Sequence, residues 1–339
     1  MIIKKMAKFF IKPIFVLFIT LHTNILSAAT NDFDKWLDDF KITALKEGIS
    51  KNTIDNALSE VKFLPKVIEY DRYQPEFYED TFTYIKKRTN KDKVKKGLSL
   101  YSKEKKFIND IENSFQVDKE LLLALMGIET NFGNYLGKMD ILSSLATLSF
   151  DKRRSVFFTN ELIILLKLID NKIIDKRILY GSWAGAFGNF QFMPSTIKNY
   201  ALDYNNNQNI ELKQIEDSFA SAANYIKKIG WKMEEPCYLN ISLNEEIPNK
   251  FLNTSARSIK NKKKVKYLKK YFKSPEDFSV YDNFTAAIVT PDKDIIPGAK
   301  NIKPAFLVFN NYELILKWNR SLRFALAVCT LKDKFKNEI

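Results

Sequence analysis

The stretch Leu121 to Gly133, LLLALMGIETNFG, constrains this chain more than any other. Of the eight residues before Glu129, seven are Leu, Ala, Met or Ile and the other is Gly127. A helix here has no polar face and must be buried on all sides, which requires a body of other helices to bury it. Asp118 stands where an N-cap is expected, Glu120 falls in the first turn, and Gly133 suits a left-handed stop. One carboxylate, Glu129, sits at the exit of this apolar rod. Desolvation and the helix's C-terminal carbonyls both disfavour its anion, so a raised pKa and a role as general acid are expected. A surface Glu just past a core helix is the plain alternative.

The 339 residues, 45% of them hydrophobic, can bury one large core or two modest ones. Lys4, Lys5, Lys8 and Lys12 precede an apolar run from Ile14 to Leu21, and Ser27-Ala28-Ala29 supplies the small residues that signal peptidase cleaves after. The run is too short to span a bilayer. Residues 1–29 are therefore read as a signal peptide. The mature chain is expected to be exported, periplasmic and soluble, with no stable membrane insertion after signal removal. No cysteine precedes Cys237, so the lipid-attachment cysteine of a lipoprotein is missing.

The sole histidine, His22, lies inside that signal. Its loss removes Ser-His and Cys-His nucleophiles and every histidine-ligated zinc site, leaving carboxylates, Tyr, Lys and backbone groups for chemistry. Cys237 and Cys329 are expected as two separate buried thiols rather than a disulfide. The formal charge is +14, and without the four signal lysines it is +10. That charge would attract an anionic polymer. Lys, Asn and Ile are abundant throughout, however, and no Arg-rich or aromatic-interleaved stripe marks nucleic-acid binding.

From Phe33 to Phe115 the text is helical and charged, with helices over Phe33 to Gly48 and Thr53 to Val61, breaks at Leu64-Pro65 and Arg72 to Pro75, and a lysine-rich turn at Lys91 to Lys96. Six of the ten glycines then fall between Gly127 and Gly188, which implies close backbone approaches. Paired arginines end SSLATLSFDKRR (143–154), an apolar helix follows from Val156 to Ile169, and GSWAGAFGNFQFMPS (181–195) offers Ser182, Asn189 and Gln191 as neutral hydrogen-bonding groups. Asp203, Asn205, Asn207 and Asn209, with Asp217, have the alternation of a calcium loop, weakened because Asn replaces acids and the central glycine is absent. A helix is expected over Ser218 to Gly230. Beyond Pro236, strands are expected at Tyr238 to Ser242, Phe278 to Tyr281, Ala286 to Thr290 and Pro304 to Phe309, with a basic helix at Lys260 to Lys270 and a last helix from Tyr312 to Lys334.

In order, GIETNFG, LATLSFDKRR, GSWAGAFGNFQFMPS, SAANYIKKIGW and NRSLRFALAV resemble the lytic murein transglycosylase B family (glycoside hydrolase family 103) in its soluble periplasmic form. The resemblance runs from about Phe33 to the C-terminus. It implies a mainly α fold: a signal peptide (1–29), a helical N-terminal domain (30–115), a lysozyme-like catalytic core (116–235) with a calcium-loop-like segment (203–217), a small β domain (236–310) and a C-terminal helix returning to the core (311–339). It also implies a carbon-oxygen lyase that cleaves the bond between N-acetylmuramic acid and N-acetylglucosamine in peptidoglycan without water, leaving 1,6-anhydro ends. Glu129 matches the catalytic acid/base. Ser182 and Asn319 match polar residues near the reacting sugar, Arg153, Arg154 and Gln191 match groups that hold glycan and peptide, and Tyr84 and Tyr225 match aromatics of the cleft. Trp318 and Phe324 stand where relatives carry tyrosines, which removes two hydroxyls but leaves rings able to stack on a sugar. The partner implied is the peptidoglycan glycan strand. No cofactor is required, and Asp203, Asn205, Asn207, Asn209 and Asp217 would form at most a weak structural calcium site.

The residues allow this chemistry without compelling it. Ordinary glycosidases use two carboxylates at a set separation, and Asp140, Asp151 and Glu161 are the candidates for a second. If none approaches the sugar, Glu129 can serve both half-reactions. A hydrolytic muramidase using a second carboxylate and a noncatalytic cell-wall glycan-binding protein remain the alternatives.

Overall fold

The computed structural model describes residues 30–73, 79–293 and 302–339, so the segment read as a signal peptide lies outside the described residues. The helices in chain order are α1 (30–46), α2 (Lys51–Leu58), α3 (Pro65–Arg72), α4 (Thr81–Arg88), α5 (Lys91–Lys103), α6 (Lys105–Phe115) and α7 (Lys119–Thr130). They continue as α8 (Ile141–Phe150), α9 (Ser155–Asp170), α10 (Pro194–Tyr200), α11 (Ile215–Lys228), the short α12 (Val265–Leu268), α13 (Asn310–Trp318) and α14 (Leu322–Lys336). Short polar side chains start several of them. Ser50, Asp80, Asn90, Asp140 and Ser321 each accept a backbone N–H from three residues on, which satisfies donors that the first helical turn leaves unpaired. Among the described residues no helix is long and apolar enough to cross a membrane.

Two compact units are distinguished. The first joins residues up to Asp71 with Met139–Leu179 and Trp183–Gly185. Its centre is the packing of α8 against α9, both rich in Leu and Ile, together with an aromatic cluster at 5.4–5.7 Å in which Phe33 and Phe63, tilted to each other, each meet Phe150 edge to face. The grouping follows those apolar faces, so the chain before Asp71 belongs with α8 and α9, a different partition from the sequential domains expected above. The buried Asp71 carboxylate of this unit holds both Arg153 and Arg154.

The second unit contains Arg72–Lys138, Tyr180–Ser182 and Ala186–Ile339. The apolar helix α7 is buried from Glu120 to Met126 and on to Gly127, as its sequence requires, and packs against α14, α5, α6 and α11. A five-stranded sheet from the insert completes this unit. Strand Ala305–Val308 lies between Tyr238–Ile241 and Thr285–Val289, antiparallel to both, with Ile241 opposite Ala305 and Val289 opposite Phe306. Leu252–Asn253 adds in parallel at the far edge, and Lys263–Lys264 also pairs with the Thr285–Val289 strand. The two central strands are nearly continuous apolar runs because both of their faces are covered.

Several sequence readings change. Phe278 to Tyr281 lies in a 3₁₀ helix, Pro275–Tyr281, not a strand. The basic stretch becomes helical only from Val265, as a short α-helix Val265–Leu268 followed by a 3₁₀ turn Lys269–Tyr271, because Lys263–Lys264 is drawn into the sheet. The lysine-rich segment at Lys91 is the start of α5, capped by Asn90. The expected last helix breaks at Asn319, which is extended, and restarts when Ser321 caps Phe324 N–H. Cys237 and Cys329 form a disulfide with Cα atoms 6.0 Å apart, tying the start of the sheet to α14. Closing a loop of 92 residues contributes about 4–5 kcal/mol by the chain-entropy argument.

Candidate active site

Glu129 occupies the last turn of α7, half-buried, and it is the way this helix ends that presents it. Asp118 stands at the N-cap position but does not cap; its Oδ2 accepts from Trp231 Nε1 at 2.6 Å. At the other end Asn131, not Gly133, is the first left-handed residue (φ 50°), followed by Phe132 (φ 60°) and then Gly133 (φ 80°). Phe132 N–H donates to Met126 O and Asn131 N–H to Gly127 O, which satisfies carbonyls of the last turn. A left-handed Phe is costly, and its ring explains it: Phe132 packs edge-on to Phe335 and fills the space that Gly127 leaves open, where an added Cβ would lie 2.8 Å from Phe132 Cζ. The chain therefore reverses at once behind Glu129.

The carboxylate lines a cavity of about 370 Å³ with Thr130, Asn131, Tyr135, Asn90, Asp92, Lys93 and Lys96. Its Oε1 accepts from Trp318 Nε1 at 2.9 Å. Trp318 is the last residue of α13, and its ring lies nearly parallel to Tyr225 (5.0 Å, 17°), which in turn stacks on Tyr200 (4.3 Å, 19°). The Tyr225 hydroxyl donates to Lys317 O, and burial, reinforced by Tyr200, pushes its phenol up to about 12. Tyr225 therefore stays a neutral donor across the physiological range. Stacked between Trp318 and Tyr200, its ring acts as a spacer.

Lys93 went unread in the sequence. Its Nζ donates to Gly127 O at 2.6 Å, placing an ammonium on the C-terminal carbonyls of α7. The negative helix end, counted above as a neighbour of Glu129, is thus met by a cation. Desolvation, with the charges of Arg88 and Lys96, holds the Lys93 ammonium below its usual pKa. The signal was present as lysines three apart, Lys93 and Lys96, on one face of a helix capped by Asn90, but reading that stretch as a turn hid the face.

The segment around Ser182 is fastened to the loop that follows Glu129. The Gln191 side chain donates to Leu136 O at 3.3 Å and Gly188 O at 3.0 Å. A Cβ on Gly137 would lie 2.7 Å from Ser182 N, so the two backbones touch there. The Ser182 hydroxyl accepts from Ala186 N–H at 3.1 Å. Thr130 Oγ1 donates to Asn189 O, and the Asn189 amide donates to Ser218 Oγ. Asn319 directly follows Trp318 and closes α13 through its N–H to Ile315 O.

Tyr84 is buried, 1% exposed, with the Arg88 guanidinium 3.5 Å from its ring centre, so it presents no face to a sugar. Phe324 is buried at the start of α14. Arg153 and Arg154 belong to the first unit and pair with Asp71. Of the acids weighed as second carboxylates, Asp140 caps α8, Asp151 accepts from Arg153 N–H and Glu161 is buried in α9. Among the described residues Asp92, exposed in the first turn of α5, lines the same cavity as Glu129.

In the segment from Asp203 to Asp217 the side-chain oxygens turn inward on the loop's own backbone. Asp203 accepts from Asn207 and Gln208 N–H, Asn205 from Asn207, Asn207 from Asn209, and Asp217 from Tyr204 and Glu211. Among the described residues no group of three or more His, Cys, Asp or Glu is arranged to hold a metal ion. Asp203, Asn205, Asn207 and Asn209 alternate as calcium ligands do, but with Asp217 adding only a second carboxylate the five fit the ion only weakly.

Residues 32–333 match the family described as "Transglycosylase SLT domain". Membrane-bound lytic murein transglycosylase B of Escherichia coli (strain K12) is 33% identical over 196 residues, 55% of this chain and 54% of that protein, so the chain spans about half the length of this relative. Among solved structures, SltB3 from Pseudomonas aeruginosa in complex with NAG-anhNAM-pentapeptide is 30% identical, with a TM-score of 0.79 over 90% of this chain and 79% of that one. The Escherichia coli lytic transglycosylase Slt35 in complex with calcium is 25% identical, with a TM-score of 0.72 over 91% and 94% of the two chains. The mainly α, lysozyme-like architecture expected from the motifs is the one these structures share with the chain.

Proposed function

Since the chain belongs to the transglycosylase SLT domain family, we propose that it is an exported lytic transglycosylase that cleaves the β-1,4 bond between N-acetylmuramic acid and N-acetylglucosamine in peptidoglycan and leaves 1,6-anhydromuramic ends. The observation that carries the reading is Glu129, delivered by a helix buried from Glu120 to Gly127 to the wall of a cavity and held at Oε1 by the Trp318 indole. In its protonated form Glu129 gives its proton to the glycosidic oxygen as the bond from C1 to that oxygen breaks. The resulting carboxylate takes the proton of the muramic acid 6-hydroxyl as O6 bonds to C1. One carbon–oxygen bond breaks, one forms, a proton passes from O6 to the leaving oxygen, and no water is consumed. The substrate's acetamido group stabilises the oxocarbenium-like centre.

The remaining assignments belong to the same reading. Ser182 and Asn319 contact the reacting sugar, Gln191 orients the loop after Glu129, and Arg153 and Arg154 meet glycan or peptide groups from an anchor on Asp71. Residues 1–29 direct export to the periplasm. Calcium, where bound, is a structural ion held by Asp203, Asn205, Asn207, Asn209 and Asp217 with an affinity of about 10⁻⁴ M or weaker, and it enters no chemical step.

Glu129→Gln keeps the shape and removes the acid. It is expected to abolish soluble muropeptide release from sacculi by a factor of about 10³ or more while leaving the melting temperature unchanged. Undiminished release would defeat the reading, and absence of release by the wild type would favour a glycan-binding protein. One observation supports a second reading, a water-using muramidase: Asp92 lines the same cavity and could act as the base.

A further inference from the structure

Resting on that reading of Glu129, we infer that Trp318 is the positioning residue of the reaction, its indole N–H fixing which carboxyl oxygen of Glu129 carries the proton. An indole nitrogen only donates. With Nε1 at 2.9 Å from Oε1, Oε1 is the acceptor, and the transferable proton resides on Oε2. After proton transfer the charge that remains is held by the same N–H, a preorganised neutral donor at the atom where charge develops.

The donor is held in place from several sides. Tyr225 lies parallel to one face of the indole, and Tyr200 backs Tyr225. Phe192 and Phe190 meet the ring edge-on at 5.4 and 6.2 Å. The Tyr225 hydroxyl bonded to Lys317 O fixes the backbone of the turn that carries Trp318. Two-ring stacking of this kind leaves the indole little freedom about χ1 and χ2, so the N–H cannot follow the carboxylate if it turns away. The face covered by Tyr225 is closed to a sugar, which distinguishes this role from the stacking platform that the sequence implied.

Trp318→Phe keeps a ring in the stack and deletes the donor, and Trp318→Tyr returns a donor on an aromatic ring. On peptidoglycan fragments, Trp318→Phe is expected to lower kcat about 10- to 100-fold with KM within about 3-fold, and Trp318→Tyr to recover part of the loss. An unchanged kcat, or a raised KM with kcat intact, overturns the proposal. A readout that does not depend on those variants folding is the indole ¹H–¹⁵N spectrum, since the chain has four tryptophans. Glu129→Ala must move one indole resonance, and if none moves the inference fails. Activity surviving in Glu129→Gln would instead sink the acid assignment itself, whatever Trp318 does.

Discussion

Glu129 and Asp292 are both carboxylates withdrawn from water in the same unit, and the chain treats them in opposite ways. Asp292 accepts the backbone N–H and the hydroxyl of Thr81 and pairs with Arg323, the two charged side chains being 6% and 5% exposed. Arg323 also donates to Pro291 O, so the knot binds the start of α4, the chain leaving the central sheet and the first turn of α14. The Arg323 guanidinium gives Asp292 a full countercharge at hydrogen-bond distance. Glu129 receives an uncharged indole donor at Oε1 and borders a cavity. A neutral donor orients a carboxyl where a buried guanidinium ties one down, and under the proposed function that contrast separates the acid that transfers protons from the acid that holds the fold. In the first unit Asp71, under two arginines, repeats the Asp292 solution.

The comparison can be broken from either side. The largest effect is expected at Glu129→Gln, with turnover down about 10³-fold and stability unaltered, measured by muropeptide release and thermal melting. Asp292→Ala should do the reverse. Leaving Arg323 buried without its partner costs about 3–5 kcal/mol in urea unfolding, while the molecules that remain folded turn over normally. The indole substitution comes between, since it loosens the acid without removing it. Asp92→Asn should change least, within about 2-fold in kcat, because an exposed first-turn acid contributes to the helix end and not to the bond being broken. A 100-fold loss there would make Asp92 a working base and move the account toward hydrolysis.

How far the sequence reveals these roles depends on how local their causes are. The burial of α7 is legible because eight residues in a row without a polar side chain admit no other helix, and the sheet's central strands because their apolar runs are short and bounded by turns. The break at Asn319 was not, because no Pro or Gly marks it and only the Ser321 cap restarts the helix. The left-handed Phe132 depends on a pocket made by distant glycines and Phe335. The disulfide required knowing that α14 returns to the edge of the sheet, and two cysteines in a sequence carry no distance. Trp318 was read as a ring for a sugar, since a sequence shows the ring and not the direction of its N–H. The burial of the Tyr84 ring and the anchoring of Arg153 on a buried Asp71 are facts of packing that the motifs do not contain.

The account's central claim is that one carboxyl group serves as acid and then base with no water entering the product. Digesting sacculi with the purified mature protein in ¹⁸O-enriched water and weighing the muropeptides addresses it most directly. The account predicts anhydromuramic ends, lighter than the hydrolysed form by one water and free of ¹⁸O. Reducing muramic ends that carry the label would contradict it.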